Sequence, residues 1–590
     1  MNASRTKWII GMAAALVCGA GVAQSDARVG VVTISGGLAE RPGPFDWLTG
    51  KPAATLRSVT EALDDDSFDV MVIRLEDAAL SRTQIEEIGD AMGDAQDAGT
   101  PVYVVTDRLG TGEVLLGAYA DRLIAQDGTG LMIPGMYMEE LYLRDALEWL
   151  GIEPSFVQVG AYKGADEAFN RSEPTAPWEE NISGLLDSLY GTMRDQLMDG
   201  RGLTDGELDD ALERAWLADA DDGIEIGLVD EALDLNELAS AMEDELGDIS
   251  WTTGLGSGSG GLQFDSSNPF ALFTMLSQDP SNDPSGPTIA VLHVNGPIVD
   301  GDSVEGGLFG SSSVGSRTIR RVAGELADDE MIKGVVVRID SPGGSATASE
   351  VIWQSLRSLA EEKPVYVSIG SMAASGGYYI AVGGDRIYAN PSSVVGSIGV
   401  VGGKLAMQGL YDRMNINVVG RARGPRAALF GSAPWDEADK EFVRQRMTET
   451  YELFTGRVQE GRDGIDLDLV AEGRLFTGGD AVELNMIDEV GSLDTTIEAL
   501  AADLDLASYD VLDYPGPQSL EDLFEQMLPA GVSAPSTGAR AMFSGASVIG
   551  ETIEAMVGPA WPELRQRIDA AVMLRDAPVQ LMEHRVIHIR

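Results

Sequence analysis

Cysteine and histidine are almost missing from this 590-residue chain, which has one cysteine, Cys18, and three histidines, His293, His584 and His588. A single thiol excludes an intrachain disulfide framework and a cysteine-rich zinc site. Three imidazoles leave little material for Ser-His-Asp chemistry. Lysine is nearly as scarce, at Lys7, Lys51, Lys163, Lys333, Lys363, Lys404 and Lys440 alone. Basic side chains number 41 against 95 acidic ones, a formal charge of −54. A surface of that sign repels phosphate backbones, so nucleic acid is not expected as a partner. The aspartate runs, such as Asp64-Asp65-Asp66, lack the spacing of a calcium loop and read as solvated turns. What the chain does have is apolar: 44% of its residues are hydrophobic, enough for large cores, and its length implies more than one domain.

Arg5 and Lys7 precede an apolar run at residues 8–22, followed by Ala23-Gln24-Ser25. A basic start, a short apolar stretch and a small-residue exit describe a secretory signal peptide. The run falls short of the roughly 20 residues of a membrane span. Residues 1–24 therefore read as a signal peptide or an N-terminal membrane anchor, with the body of the protein on the extracytoplasmic side of the cell envelope.

The chain contains itself twice. Val29-Gly-Val-Val-Thr-Ile34 matches Ile289-Ala-Val-Leu-His-Val294, Val72-Ile-Arg-Leu75 matches Val336-Val-Arg-Ile339, and Pro101-Val-Tyr-Val104 matches Pro364-Val-Tyr-Val367. Ala120-Asp-Arg-Leu123 matches Gly384-Asp-Arg-Ile387, and Gly227-Leu-Val-Asp230 echoes Asn485-Met-Ile-Asp488. The separation stays at about 260 residues across all five blocks, as a tandem duplication requires. Short β-branched runs alternate with helical patterns in each copy: residues 334–339 read as a buried strand, 346–359 as a helix and 364–370 as the next strand. Such alternation implies parallel strands in an α/β layer fold. The division expected is a first repeat at 29–250, a Gly/Ser/Pro linker at 251–287, a second repeat at 288–510 and a tail at 511–590, with amphipathic helices near 520–528 and 548–556.

The two copies differ where chemistry would sit. In the second, a strand runs into Ser371-Met-Ala-Ala-Ser375-Gly376-Gly377-Tyr378. Small residues allow a tight turn with Ser375 at a helix start, where the Gly376 N–H and the helix dipole favour a developing anion. Asp340-Ser-Pro-Gly343-Gly344 follows another strand and brings a second backbone N–H towards the same point, completing an oxyanion hole. The first copy has Thr111-Gly112 and Asp77-Ala-Ala-Leu80 at these places and has lost both features. It has instead Val159-Gly-Ala-Tyr-Lys163, where the second copy reads Val419-Gly-Arg-Ala-Arg423. Lysine serves as a base once burial lowers its pKa, and arginine does not. One copy keeps the serine and the other a lysine; together they make a Ser-Lys dyad.

These segments, with the following Asn390-Pro-Ser-Ser-Val-Val-Gly396-Ser397-Ile-Gly399, resemble the signal peptide peptidase A (protease IV) family in its long, duplicated form. The resemblance implies an α/β fold of tandem duplicated Clp-protease/crotonase-like domains. It also implies a homo-oligomeric bowl, and a serine endopeptidase acting on cleaved signal peptides and other hydrophobic peptides. Ser375 is then the nucleophile and Lys163 the general base. Gly376 with Gly343 or Gly344 forms the oxyanion hole, and Ser397 orients the amine or is merely a strand-end hydroxyl. No metal or cofactor is expected. Gly164 stands where the family has serine or alanine, a departure expected to loosen packing around the lysine. His293 reads as a packed core residue, and the His584-x3-His588 pair lacks supporting carboxylates for a metal. The competing functions are crotonase-like acyl-CoA chemistry and an inactive peptide-binding scaffold.

Overall fold

The computed structural model describes residues 26–43, 54–216, 218–256, 284–304 and 312–516, and the backbone of 579–582. The expected leader, the tail helices near 520–528 and 548–556, and His584 and His588 lie outside these residues.

In the first copy the longer strands are β1 (Ala27–Ser35), β2 (Val70–Glu76), β3 (Val102–Thr106), β4 (Arg122–Gln126), β5 (Glu153–Val159), β6 (Glu231–Leu233) and β7 (Ile249–Leu255). All but β5 form one parallel sheet in the order β6-β4-β3-β2-β1-β7. The second copy has β8 (Thr288–Asn295), β9 (Ile332–Ser341), β10 (Gly343–Ser345), β11 (Val365–Ala374), β12 (Arg386–Ala389), β13 (Val394–Gly396), β14 (Val400–Ala406), β15 (Leu475–Thr477), β16 (Glu489–Val490) and β17 (Asp510–Tyr514), with β18 (Val579–Met582) beyond. Its parallel sheet repeats the same order as β16-β12-β11-β9-β8-β17. The duplication is thus a duplication of topology.

Burial on both faces explains the near-continuous apolar runs of these strands. Ala290, Leu292 and Val294 of β8 join Val335, Val337 and Ile339 of β9 in one core, while Ile289, Val291 and Val336 turn to the opposite face against Leu493, Ile497 and Leu500. The period of two sends alternate residues to different helix layers. Several boundaries differ from the sequence expectation. Residues 251–255 belong to β7 and 511–514 to β17, each held by backbone pairing to an opening strand. Strand β11 runs on to Ala374, because its second half pairs with β13. His293 is buried in β8, and its Nε2 lies 2.9 Å from Asp513.

Two of the contacts between the copies fix how they fit. Strand β5 leaves the first copy and pairs antiparallel with β14 of the second, from Val400↔Val159 to Ala406↔Glu153. Helix α1 (Arg82–Ala98), capped by Ser81 and by left-handed Gly99, docks on the ends of the second sheet. Glu87 on α1 is 2.6 Å from the guanidinium of fully buried Arg338, which also binds Glu40 at 2.9 Å. Asn390 donates to Glu87 at 2.7 Å, and the Ser392 N–H donates to Glu86 at 3.1 Å. A buried ion pair adds little net stability, but stranding one member costs several kcal/mol, so the seam specifies how the copies fit.

Burial pushes the Glu86 carboxyl up to about 7, against the opposing pull of its hydrogen bonds from Ser392 and the Arg82 charge. Between the ordinary glutamate value of 4.5 and about 7 the native state holds the proton that the unfolded chain releases. Stability therefore falls as pH rises through that window. Glu86→Gln keeps an acceptor for Ser392 and removes the charge. It is expected to gain up to about 3 kcal/mol at pH 8 and nothing at pH 4, measured by urea denaturation at both pH values.

Candidate active site

The second half of β11 delivers Ser375 to the start of α2 (Gly376–Ala381). Ser375 has φ 54° and ψ −112°, a strained backbone for a residue with a side chain. Two hydrogen bonds hold it there: its N–H donates to Gly396 O at 2.7 Å, and its carbonyl accepts from the Tyr379 N–H at 2.9 Å. Gly377 sits so close to Ser341 that an added Cβ would lie 2.7 Å from the Ser341 carbonyl oxygen, which explains a glycine there.

From the other copy, β5 ends at Val159 and turns through Gly160 to Lys163. The lysine is fully buried. Its Nζ lies 2.8 Å from Ser375 Oγ, and donates to Ser397 Oγ at 2.7 Å and to the Ser397 carbonyl at 3.2 Å. Ser397 itself has φ 55°, and follows Gly396 at φ 106°. The tertiary structure therefore brings Lys163, Ser375 and Ser397 together. Arg423 is exposed and donates to its neighbour Ala422. The first copy's counterpart helix starts at Thr111, with Gly110 as its cap, and offers no serine at that turn.

Gly376 is the first residue of α2, where helix N–H groups lack intrahelical acceptors. Gly343 and Gly344 open β10 alongside. The Gly343 N–H donates to Ser341 Oγ at 3.1 Å, and that hydroxyl donates to Gly296 O at 2.7 Å. Ahead of this loop, burial and then the Glu40 charge push the Asp340 carboxyl up to about 7. Among the described residues no group of three or more His, Cys, Asp or Glu side chains is arranged to hold a metal ion.

The expected loosening at Gly164 is corrected by the packing. Gly164 lies buried against Trp178, and an added Cβ would sit 2.4 Å from the indole ring. The glycine lets a tryptophan close over the lysine loop, so the site is tighter there. Sequence reasoning also missed Ser341 and the stretch 471–474. The absence of glycine from the matching Glu213-Arg214-Ala215-Trp216 of the first copy was the available signal for the latter.

A serine hydroxyl and a lysine amine in contact, beside backbone donors at a strained turn, define a serine hydrolase of the lysine-assisted type. The description Peptidase family S49 matches residues 94–248 and 357–507, once in each copy. The chain belongs to this family, in its long duplicated form, and is a serine endopeptidase. It is 29% identical to "Protease 4" of Haemophilus influenzae over 75% of this chain and 71% of that one. It is 27% identical to "Serine protease SPPA, chloroplastic" of Arabidopsis thaliana over 70% and 60%, respectively. With "Protease 4" of Salmonella typhi it shares 26% identity over 78% of this chain and 73% of the other.

Gly164→Ala is expected to lower kcat by about tenfold or more, because the methyl group must displace either Trp178 or the lysine loop. Steady-state kinetics on a peptide substrate, with Gly164→Ala and Gly164→Ser in parallel, check this.

Proposed function

We propose that Ser375 is the nucleophile and Lys163 the general base of this endopeptidase, the repeat at 288–510 supplying the serine and the repeat at 29–250 the lysine. The observation that carries the reading is the 2.8 Å contact between Lys163 Nζ and Ser375 Oγ, made in a buried site by side chains 212 positions apart. Desolvation disfavours an ammonium and so favours the neutral amine that the reaction needs. The amine takes the hydroxyl proton as Ser375 Oγ attacks the scissile carbonyl. The N–H groups of Gly376 and of Gly343 or Gly344 stabilise the oxyanion, a term of about 3–4 kcal/mol per donor in such sites. Lys163 then protonates the leaving amine, and a water deprotonated by the same amine hydrolyses the acyl-enzyme. Ser397 holds the amine between these steps.

The substrates proposed are extended hydrophobic peptides, among them cleaved signal peptides, met on the extracytoplasmic side of the cell envelope, with residues 1–24 serving as a signal peptide or an N-terminal membrane anchor. The motif resemblance supports this class. So does β18, whose backbone lies between β10 and β14, antiparallel to both, with Gly344 opposite Leu581 and Val401 opposite Gln580. The groove beside the oxyanion loop accepts a chain as an added strand. No helix among the described residues is long and apolar enough to cross a membrane.

A homo-oligomer is also proposed. Residues 415–421 follow a helix, Gln408–Arg413, as β5 follows the helix Arg144–Leu150 in the first copy, yet they form no strand. They expose Ile416 (43%), Val418 (56%) and Val419 (70%) to solvent. The internal symmetry supports pairing of this segment with the first repeat of a second copy.

Ser375→Ala and Lys163→Met are each expected to lower kcat by at least about 10³-fold on a signal-peptide substrate, with folding intact. Normal cleavage by either variant would overturn the reading. Light scattering should show the mass falling to that of one chain when Val418 and Val419 are both changed to Asp.

A further inference from the structure

We infer that Glu472 is a positioning residue for the Lys163 amine, acting through a three-residue buckle, Glu472-Gly473-Arg474, that ties the lysine loop of the first copy to the Ser397 turn of the second. The inference rests on the reading of Lys163 and Ser375 as base and nucleophile. Lys163 stands on a loop of one copy and must reach a serine on the other, so its precision depends on whatever holds that loop. The buckle contacts the loop at consecutive residues. The Glu472 carboxylate accepts the Ala161 N–H at 2.8 Å, and the Glu472 carbonyl accepts the Tyr162 N–H at 2.8 Å. The Arg474 guanidinium lies 4.0 Å from the centre of the Tyr162 ring. Gly473 passes so close that an added Cβ would sit 2.5 Å from the Lys163 nitrogen and 2.6 Å from its Cα.

The same residues hold the other side of the amine. The Gly473 N–H donates to Ile398 O at 2.8 Å, and the Arg474 carbonyl accepts the Ser397 N–H at 2.6 Å. Ser397 in turn receives two hydrogen bonds from Lys163 Nζ. Both the base of the lysine side chain and the acceptors at its tip are therefore anchored to one short segment. Glu472 adopts φ 64°, a left-handed backbone that a non-glycine residue keeps only where its surroundings enforce it. Its N–H donates to Tyr451 Oη at 3.3 Å. The side chain is the buckle's direct tie to the start of the lysine loop, and an uncharged acceptor of the same length would serve as well.

The test compares full-length wild type, Glu472→Ala, Glu472→Gln and Lys163→Met. It measures the second-order rate of Ser375 labelling by a fluorophosphonate, normalised to the fraction finally labelled, and kcat and KM on one peptide. Glu472→Ala should label and turn over about tenfold to a hundredfold more slowly at unchanged KM, the usual effect of a small misplacement of a catalytic group. Glu472→Gln should stay within about threefold of wild type, its amide oxygen accepting the Ala161 N–H. A wild-type rate in Glu472→Ala, an equal loss in Glu472→Gln, a loss carried by KM, or a fall only in the labelled fraction would each overturn the inference. If Lys163→Met labels at the wild-type rate, the dyad reading itself fails. If Lys163→Met is slow while Glu472→Ala is not, only the positioning role of Glu472 falls.

Discussion

The antiparallel ladder between β5 and β14 carries Lys163 out of its own repeat and into the other. Everything at the site hangs on it. Register along the ladder sets where the chain emerges after Val159, four residues before the lysine. A slip of one residue would reverse the faces of β5 and move the loop away from Ser375. The buried seam of Arg338, Glu40 and Glu87 fixes the same relation through a second contact. Ladder and seam together hold the two repeats in the arrangement that makes a contact of 2.8 Å.

Duplication explains how a chain so poor in histidine assembles a hydrolytic site. Each repeat retains one parallel sheet with the same strand order, so each presents a strand-to-helix turn at the same place. In the first copy that turn is capped by Gly110, and in the second by strained Ser375. The segment after the helix was treated in the opposite way. It pairs and delivers a lysine in the first copy, and stays unpaired and exposed in the second. Division of labour between copies is thus written in which loops are held and which are free.

The surrounding glycines show how closely the frame is fitted. Gly164 admits Trp178 over the lysine loop, and Gly399 lets Lys163 Cδ pass, since a Cβ there would lie 3.1 Å away. The acidic excess, by contrast, is spread over exposed turns and helix faces. Two of the buried carboxylates, Glu86 and Glu87 on α1, serve the contact between repeats.

Much of this was legible in the sequence because duplication supplied an internal reference. Five matched blocks set the repeat, and the reciprocal loss of serine and lysine singled out residues that composition alone would have passed over. Continuous β-branched runs were enough to place the strands, because burial on both faces leaves no polar alternation to interrupt them. What lay beyond the sequence came from contacts between distant segments. Gly164 is a departure from the family pattern that only Trp178, packed against it, explains, and Glu472 has no local mark of importance, since its partners Ala161 and Tyr162 lie more than 300 positions away. Residue identity determined which groups the chain possesses and which copy holds each. Only tertiary packing decided that an amine and a hydroxyl from different copies meet, because that distance is set by ladders and buried pairs between the repeats and by no pattern within either one.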